Sequence, residues 1–462
     1  MGQKLIPQEK DSIWKSWGPK ILLAILLLVF SAYTLFLAVK LDTGIVPDEP
    51  YRFTVSRSFS TTWGIPEYVP ATNSAGDNLH RNPFLGYWIF GRALNVFNLF
   101  APAATSRQQI VFLRIFNAII SMGTVFFTYL ISKELIKNKW LQVLPVFMLT
   151  NTLMFVFLSG GVSYDNPAIL ACTIGIYFLV RVFNNKDFTL NSLGFLISIA
   201  IACQIKYSIL PLALAVVIAW LVYILIHRKQ INIRPIKKAK TIALVVILLI
   251  FIGFNIAIYG VNLVKFQSLI PDCQDTFPLE VCQSSTFGIR YQEMALSEKL
   301  TLLEALKQGH PDPIRYFFDE WIREMLKRIF GIMGHKNYFP IVVSYFHIAF
   351  YWLILLGFRY IKKPSFKTLS LVGIFGFYSF VLIYMNYDSE LVYGFNKYVA
   401  LQGRYIFPVI AIAYVMISHI LSKVSNKLIK IGTICLLVLL FLYGGPIRFI
   451  WYYNSVFADW FI

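Results

Sequence analysis

Along the chain, apolar residues run for about twenty positions at a time and then stop at polar breaks. Runs of that length suit helices crossing a hydrocarbon layer of about 30 Å. The pattern predicts eleven spans, at 21–39, 109–131, 141–158, 166–182, 190–204, 208–226, 241–262, 340–358, 368–385, 406–421 and 431–447. The fold class expected is an all-α polytopic membrane protein, a single transmembrane domain over residues 1–462. The first run is too long for a signal peptide and lacks a small-residue cleavage site, so it is expected to remain as a span. Two breaks are long, 40–108 and 263–339. In the first, "NPFLGYWIFGRALNVFNLF" is aromatic and amphipathic, which predicts a helix lying in the membrane interface. In the second, "SEKLTLLEALKQ" and "PIRYFFDEWIREMLKRIFG" carry helical periodicity with one apolar face. No internal repeat is present.

Composition agrees: 57% of residues are hydrophobic and 17% aromatic. The net charge of +19 would fit a nucleic-acid partner until its distribution is mapped. With the N-terminus in the cytoplasm, segments 1–20, 132–139, 181–188, 227–240, 359–367 and 422–430 hold 22 of the 42 Lys and Arg and 4 of the 23 acids. The opposite side balances at 19 of each, and the remaining cation, Arg114, falls within a span. The excess is therefore the positive-inside signal. It argues for a multi-pass plasma-membrane protein with both long segments on the outer face and for no nucleic-acid partner. "HRKQINIRPIKKAK" reads as a cytoplasmic loop against anionic headgroups. Cys172, Cys203 and Cys435 fall in spans as packing residues. Cys273 and Cys282 fall on the outer side, where oxidation is permitted, and are expected to form a disulfide.

The candidate chemistry lies on the outer face. Asp48 and Glu49, in "GIVPDEPYRF", sit just beyond the first span in a loop that Pro47 and Pro50 are expected to hold away from helix. "HRNPFLGYW" supplies Arg81 as a candidate phosphate-binding cation, with His80 as its neighbour. "SGGVSYDNPA" supplies Asp165, and "ACQIKYSILP" places Lys206 and Tyr207 in a hairpin that is otherwise apolar. "YVALQGRYIFP" places Arg404 and Tyr405 at the start of a span. Each also has a plain structural reading: helix capping for Asp165, snorkelling to headgroups for Arg81 and Arg404, a surface position for His80. Together the loops offer carboxylates for deprotonation and cations for a phosphate whose tail stays in lipid. Asp48, Glu49 and Asp165 are also candidate oxygen ligands for a divalent cation, magnesium or manganese.

These motifs resemble the GT-C glycosyltransferases, multi-span enzymes that take sugar from a polyprenyl-phosphate carrier. The resemblance is to the protein-mannosyltransferase and aminoarabinose-transferase branch, whose first outer loop carries an Asp-Glu pair and then a basic residue, a proline and an aromatic pair. "IKYSILP" resembles the Lys-Tyr turn of that class, and "LQGRYIFP" the "QGRYF-P" ending of a bacterial membrane-protein family grouped with it. The likeness covers the first 210 residues and the final third; roughly 227–340 aligns with nothing. The class usually has Lys-Pro-Pro or His-Pro-Pro where this chain has Arg81-Asn82-Pro83.

The resemblance implies a GT-C-like bundle and a glycosyltransferase that moves a sugar to a lipid, glycan or protein acceptor by a single inverting displacement. Asp48 would be the general base and Glu49 its support or a metal ligand. Arg81, Lys206 and Arg404 would hold the donor phosphate, with His80, Tyr51, Asp165, Tyr207 and Tyr405 lining the substrate site. The rivals are a transporter or flippase of lipid-linked sugars and a catalytically idle assembly subunit. A transporter should place ionisable residues near the bilayer midplane, whereas here they lie at the water boundary.

Overall fold

A computed structural model describes residues 13–231, 239–285, 299–361, 363–398, 401–452, 456 and 458–462. The middle half of "HRKQINIRPIKKAK", the first twelve residues and the start of "SEKLTLLEALKQ" lie outside the described residues.

Among the described residues the chain is helical apart from a short hairpin, Ile332–Met333 paired with Asn337–Tyr338. Among the described residues nine helices are long and apolar enough to cross a membrane. They account for nine of the eleven expected spans, making this a polytopic all-helical membrane protein. The two remaining runs differ in kind. The expected eighth span is the shorter apolar helix Ile341–Leu356. The third is broken: Lys139–Thr150 and Leu153–Ser159 meet at a bend of 68°.

The break has a local cause. Asn151 and Thr152 leave the helix, and their side chains cap the carbonyls the break exposes, Asn151 Nδ2 to Phe147 O at 2.8 Å and Thr152 Oγ1 to Met148 O at 2.8 Å. Backbone polar groups freed inside a bilayer are costly, so a break survives there when its own side chains satisfy them. The short second half is buried along its whole length, with Phe155 and Phe157 in the main apolar core. It ends at Gly160 and Gly161, where a Cβ would crowd Leu37 and Val46. Those close approaches bring residues 160–165 under the loop that follows the first span.

That loop departs from expectation. Helix Glu49–Thr61 begins at Glu49 with Pro50 in its first turn. Pro50 therefore starts a helix, because the N–H it lacks would go unpaired in a first turn anyway. Asp48 is the residue before the helix, in the left-handed region at φ 57°. Helix Leu85–Phe100 lies across Glu49–Thr61 and closes on it at Gly91, where a Cβ would sit 2.8 Å from the Ser56 carbonyl. Its other face exposes Val96, Leu99 and Phe100.

The second long segment folds back over the same end of the bundle. Cys273 and Cys282 are joined by a disulfide, and Cys273 packs on Gly76, a left-handed residue at φ 75°. "PIRYFFDEWIREMLKRIFG" forms one helical run, Pro313–Arg315, Tyr316–Trp321 and Ile322–Ile329, the middle part being π-helical. At the other end of the bundle, three segments expected on the cytoplasmic side meet: Lys186 and Asn184 bond Glu134, and Lys367 bonds Asn184.

Candidate active site

Five charged residues from four distant breaks in the sequence meet at one end of the bundle. Asp165 opens helix Asp165–Phe183 directly after the broken span. Its Oδ1 accepts from Lys206 Nζ, at the end of Phe188–Ile205. Its Oδ2 lies 3.4 Å from Arg52 Nη2 and 3.6 Å from Arg404 Nη1. Asp48 Oδ2 joins the same two guanidiniums, at 3.1 Å from Arg52 Nη2 and 2.9 Å from Arg404 Nη2. Ser163 Oγ accepts from Arg52 Nη1 at 2.7 Å.

The cluster holds three cations, Arg52, Lys206 and Arg404, against two carboxylates. The side chains of Arg52, Arg404, Asp165 and Lys206 are 10% exposed or less, whereas that of Asp48 is 48% exposed. Asp48 is thus the member that faces solvent. Arg52 Nε and Arg404 Nε and Nη1 make no hydrogen bond among the described residues, although all are buried. A buried unpaired donor costs about 1–3 kcal/mol, more when charged, so these N–H groups are placed for an acceptor from outside. Rings frame the cations: Lys206 Nζ lies 4.6 Å from the Tyr405 ring centre, and the Arg52 guanidinium 4.4 Å from that of Tyr164.

Burial pushes the Asp48 carboxyl up, but Arg52 and Arg404 outweigh it and hold the carboxyl below its ordinary range. Burial alone would lower Arg52; Asp165 more than reverses this and keeps the guanidinium charged.

Glu49 is turned away from this cluster. Its Oε1 accepts from Arg114 Nε at 2.8 Å and from Val162 N at 2.9 Å, and its Oε2 accepts from Arg114 Nη2 at 2.6 Å. Arg114 is fully buried and also donates to the carbonyls of Ala38, Leu41 and Asp42. One bidentate pair thereby ties the end of the first span, the Asp48 turn and the segment after the broken span into one unit.

Tyr51, beside Asp48, donates to Asp77 Oδ2 at 2.5 Å, and Asn82 Nδ2 donates to Asp77 Oδ1 at 2.5 Å. Burial pushes the Asp77 carboxyl up. Asn82, the departure in "HRNPF", thus orients a partly buried carboxyl group. Arg81 and His80 are not brought into the ion-pair cluster. The Arg81 guanidinium lies 5.8 Å from the Phe266 ring centre, and His80 is exposed with its backbone N–H on Asn78. Tyr207 and Tyr405 follow Lys206 and Arg404 directly, and Tyr207 is 42% exposed.

The candidate metal ligands do not converge. Both oxygens of Glu49 are held by Arg114, both oxygens of Asp165 face cations, and Asp48 is shared by two guanidiniums. Among the described residues no three His, Cys, Asp or Glu side chains are grouped to hold an ion. A cation-rich donor set of this kind suits an anion and not Mg²⁺ or Mn²⁺.

Arg52, Ser163, Tyr164 and Asp77 do not stand out in the sequence. Arg52 lies in a stretch of ordinary mixed polarity, and Asp77 in a polar loop where an acid draws no notice. Only the contacts across the fold distinguish them.

Residues 86–270 match the family model of dolichyl-phosphate-mannose-protein mannosyltransferases. No curated protein sequence matches the chain. Among solved structures, the chain is similar to the oligosaccharyltransferase AglB from Archaeoglobus fulgidus, solved with an inhibitory peptide and a dolichol-phosphate; identity is 14%, coverage 94% of this chain and 56% of AglB, and the TM-score 0.51. It is also similar to ArnT from Cupriavidus metallidurans bound to undecaprenyl phosphate, at 13% identity over 89% of this chain and 61% of ArnT, with a TM-score of 0.49. The chain thus spans little more than half the length of AglB. The family match covers residues 86–270 only, and over most of its length the chain is similar in fold to AglB.

Proposed function

We propose that this protein is a membrane glycosyltransferase that moves a hexose or pentose from a polyprenyl-phosphate carrier to a lipid, glycan or protein acceptor on the outer face of the membrane. The observation that carries this reading is the surplus of buried positive charge around Asp48 and Asp165, with guanidinium N–H groups of Arg52 and Arg404 left unpaired. The phosphate of the lipid-linked donor would supply both the missing charge and the missing acceptors. AglB, with its dolichol-phosphate, supports the carrier class.

In the proposed reaction the acceptor hydroxyl oxygen forms a bond to the anomeric carbon as the bond from that carbon to the phosphate oxygen breaks. The electron pair leaves with the lipid phosphate, and the acceptor proton passes to Asp48. A single displacement inverts the anomeric centre. Arg404, Arg52 and Lys206 stabilise the charge growing on the phosphate, which is usually the larger electrostatic contribution. When phosphate takes up Arg404 and Arg52, Asp48 loses part of the attraction that depresses its basicity, so donor binding readies the base. Glu49 acts through Arg114 to position the Asp48 turn and is neither base nor metal ligand. Arg81 and His80 take no part in phosphate binding.

The experiment is release of lipid phosphate from a polyprenyl-phosphate sugar by the purified full-length protein. Asp48→Asn is expected to stop release while donor binds at least as tightly, since the competing carboxylate charge on Arg52 and Arg404 is gone, and Lys206→Ala to weaken donor binding. Full release by Asp48→Asn would overturn the assignment of the base.

A further inference from the structure

A third carboxyl stands beside the cation cluster and has no part in the reaction described above. Asp77 accepts from the Tyr51 hydroxyl and from Asn82 Nδ2, each at 2.5 Å, and among the described residues no cation pairs with it. An ionised carboxyl offers about four acceptor positions, of which these bonds use two. Asp77 is only partly buried, so the others stay open to a donor from outside.

Its direction is fixed by what braces its loop. The Asp77 N–H donates to Thr72 O at 2.8 Å. Gly76, just before it, is pressed by the disulfide-bonded loop: a Cβ there would sit 2.8 Å from Cys273 Sγ and 2.9 Å from Ser285 Oγ. Four residues on, the Arg81 carbonyl accepts from Asn262 Nδ2 at 2.8 Å, near the end of helix Ala239–Phe266. The part of the chain that aligns with no known motif thus helps to hold this carboxyl in place.

Asp77 also lies close to the cations assigned to the donor phosphate. Tyr51, its partner, is in the first turn of helix Glu49–Thr61, three residues after Asp48. The Tyr51 ring centre is 6.3 Å from that of Tyr87, which is 5.3 Å from that of Tyr164. Tyr164 in turn has the Arg52 guanidinium at 4.4 Å and Lys206 Nζ at 5.7 Å from its ring centre. A second route leads to Arg404, since the charges of Asp77 and Arg404 both act on the Tyr207 hydroxyl. Tyr207 is 42% exposed, so open space adjoins a side chain that both groups reach. A carboxyl among tyrosine rings suits a sugar, whose hydroxyls donate in charge-assisted bonds and whose C–H face packs on a ring.

We propose that Asp77 contacts the sugar of the bound donor, accepting from one of its hydroxyls, with Tyr51 fixing the carboxyl and Tyr207 flanking the sugar ring. This deepens the glycosyltransferase reading and rests on it: Arg52, Lys206 and Arg404 hold the phosphate, and Asp77 reads the sugar attached to it. A carboxylate there favours a neutral hydroxylated sugar and repels one that carries a carboxylate of its own.

The test compares binding of bare undecaprenyl phosphate with binding of the same carrier bearing mannose, glucose, arabinose or glucuronate, by native mass spectrometry of the full-length protein. The wild type is expected to bind one of the neutral-sugar carriers about tenfold more tightly than the bare carrier, the scale of one hydrogen bond to a charged group. Asp77→Asn should erase that difference and leave affinity for the bare carrier unchanged. Tyr51→Phe, which keeps the ring and loses the bond to Asp77, should erase part of it. A sugar preference intact in Asp77→Asn, an equal loss for bare and sugar-bearing carriers, or tightest wild-type binding of the glucuronate carrier would each overturn the assignment. The second of these would make Asp77 a brace for its loop and leave the phosphate site standing. A wild type that binds no carrier at all would overturn the glycosyltransferase reading, and the sugar contact with it.

Discussion

At the scale of single residues, the charge state of Asp48 decides the chemistry. Its carboxyl is held below its ordinary range, so it is ionised across the neutral region and down past the unfolded value of about 3.9. A depressed folded value stabilises the fold at pH above the unfolded value, and that contribution is lost as pH falls through the folded value. The acid limb of kcat/KM is accordingly expected below about pH 4. Arg404→Gln removes one of the two cations on Asp48 and should move that limb to higher pH, which a pH–rate profile of the variant would read. Replacing the base itself, Asp48→Asn, should lower kcat by about 10²–10⁴. Glu49 behaves differently. Glu49→Ala leaves the Arg114 charge buried without its partner and should cost about 3–5 kcal/mol, seen as a lower thermal midpoint before any assay of activity.

What could be read from the sequence follows from how each residue breaks its local pattern. Asp48, Asp165, Lys206 and Arg404 each interrupt apolar surroundings on one membrane side, and the fold brings all four within one network. Arg114 was visible as a buried cation, but its partner Glu49 lies sixty-five residues away and no local rule joins them. Arg81 had the right residue type in the right loop, yet its neighbour Asn82 bonds Asp77 and its guanidinium lies by Phe266.

At the scale of elements, the spans were legible because a hydrophobic run registers by length alone. The break at Asn151 and Thr152 was not, since a hydropathy sum carries no direction and two small polar residues barely dent it. Helix Glu49–Thr61 was missed because its two flanking prolines read as helix breakers, although Pro in a first turn starts helices. The elements that support the site can be tested directly. Gly403→Ala would push a Cβ into the helix ending at Ile329, displacing Arg404, and should reduce donor affinity while Lys206→Ala adds little further loss. Removing the disulfide by Cys273→Ser/Cys282→Ser opens a loop that packs on Gly76, next to Asp77. A loss of about 2–3 kcal/mol is expected, with hydrogen exchange rising first around residues 70–82.

At the scale of the whole molecule, segments expected on the same membrane side meet one another, Lys186 with Glu134 and Lys206 with Asp165, while which side each pair faces follows from the sequence charge distribution alone. A cysteine placed at Lys307 in the second long segment should react with a membrane-impermeant maleimide on intact cells. One placed at Lys427 should react only after permeabilisation; the opposite result would invert the orientation and put the site in the cytoplasm.

The central claim is that the three-cation cluster holds a lipid-borne phosphate beside Asp48. A structure of the full-length protein with a polyprenyl phosphate measures this most directly. The account predicts the phosphate within hydrogen-bond distance of Arg404 Nε or Nη1 and of Lys206 Nζ, with Asp48 Oδ2 no longer shared between Arg52 and Arg404. A phosphate bound elsewhere, with the Asp48–Arg404 pair intact, would contradict it.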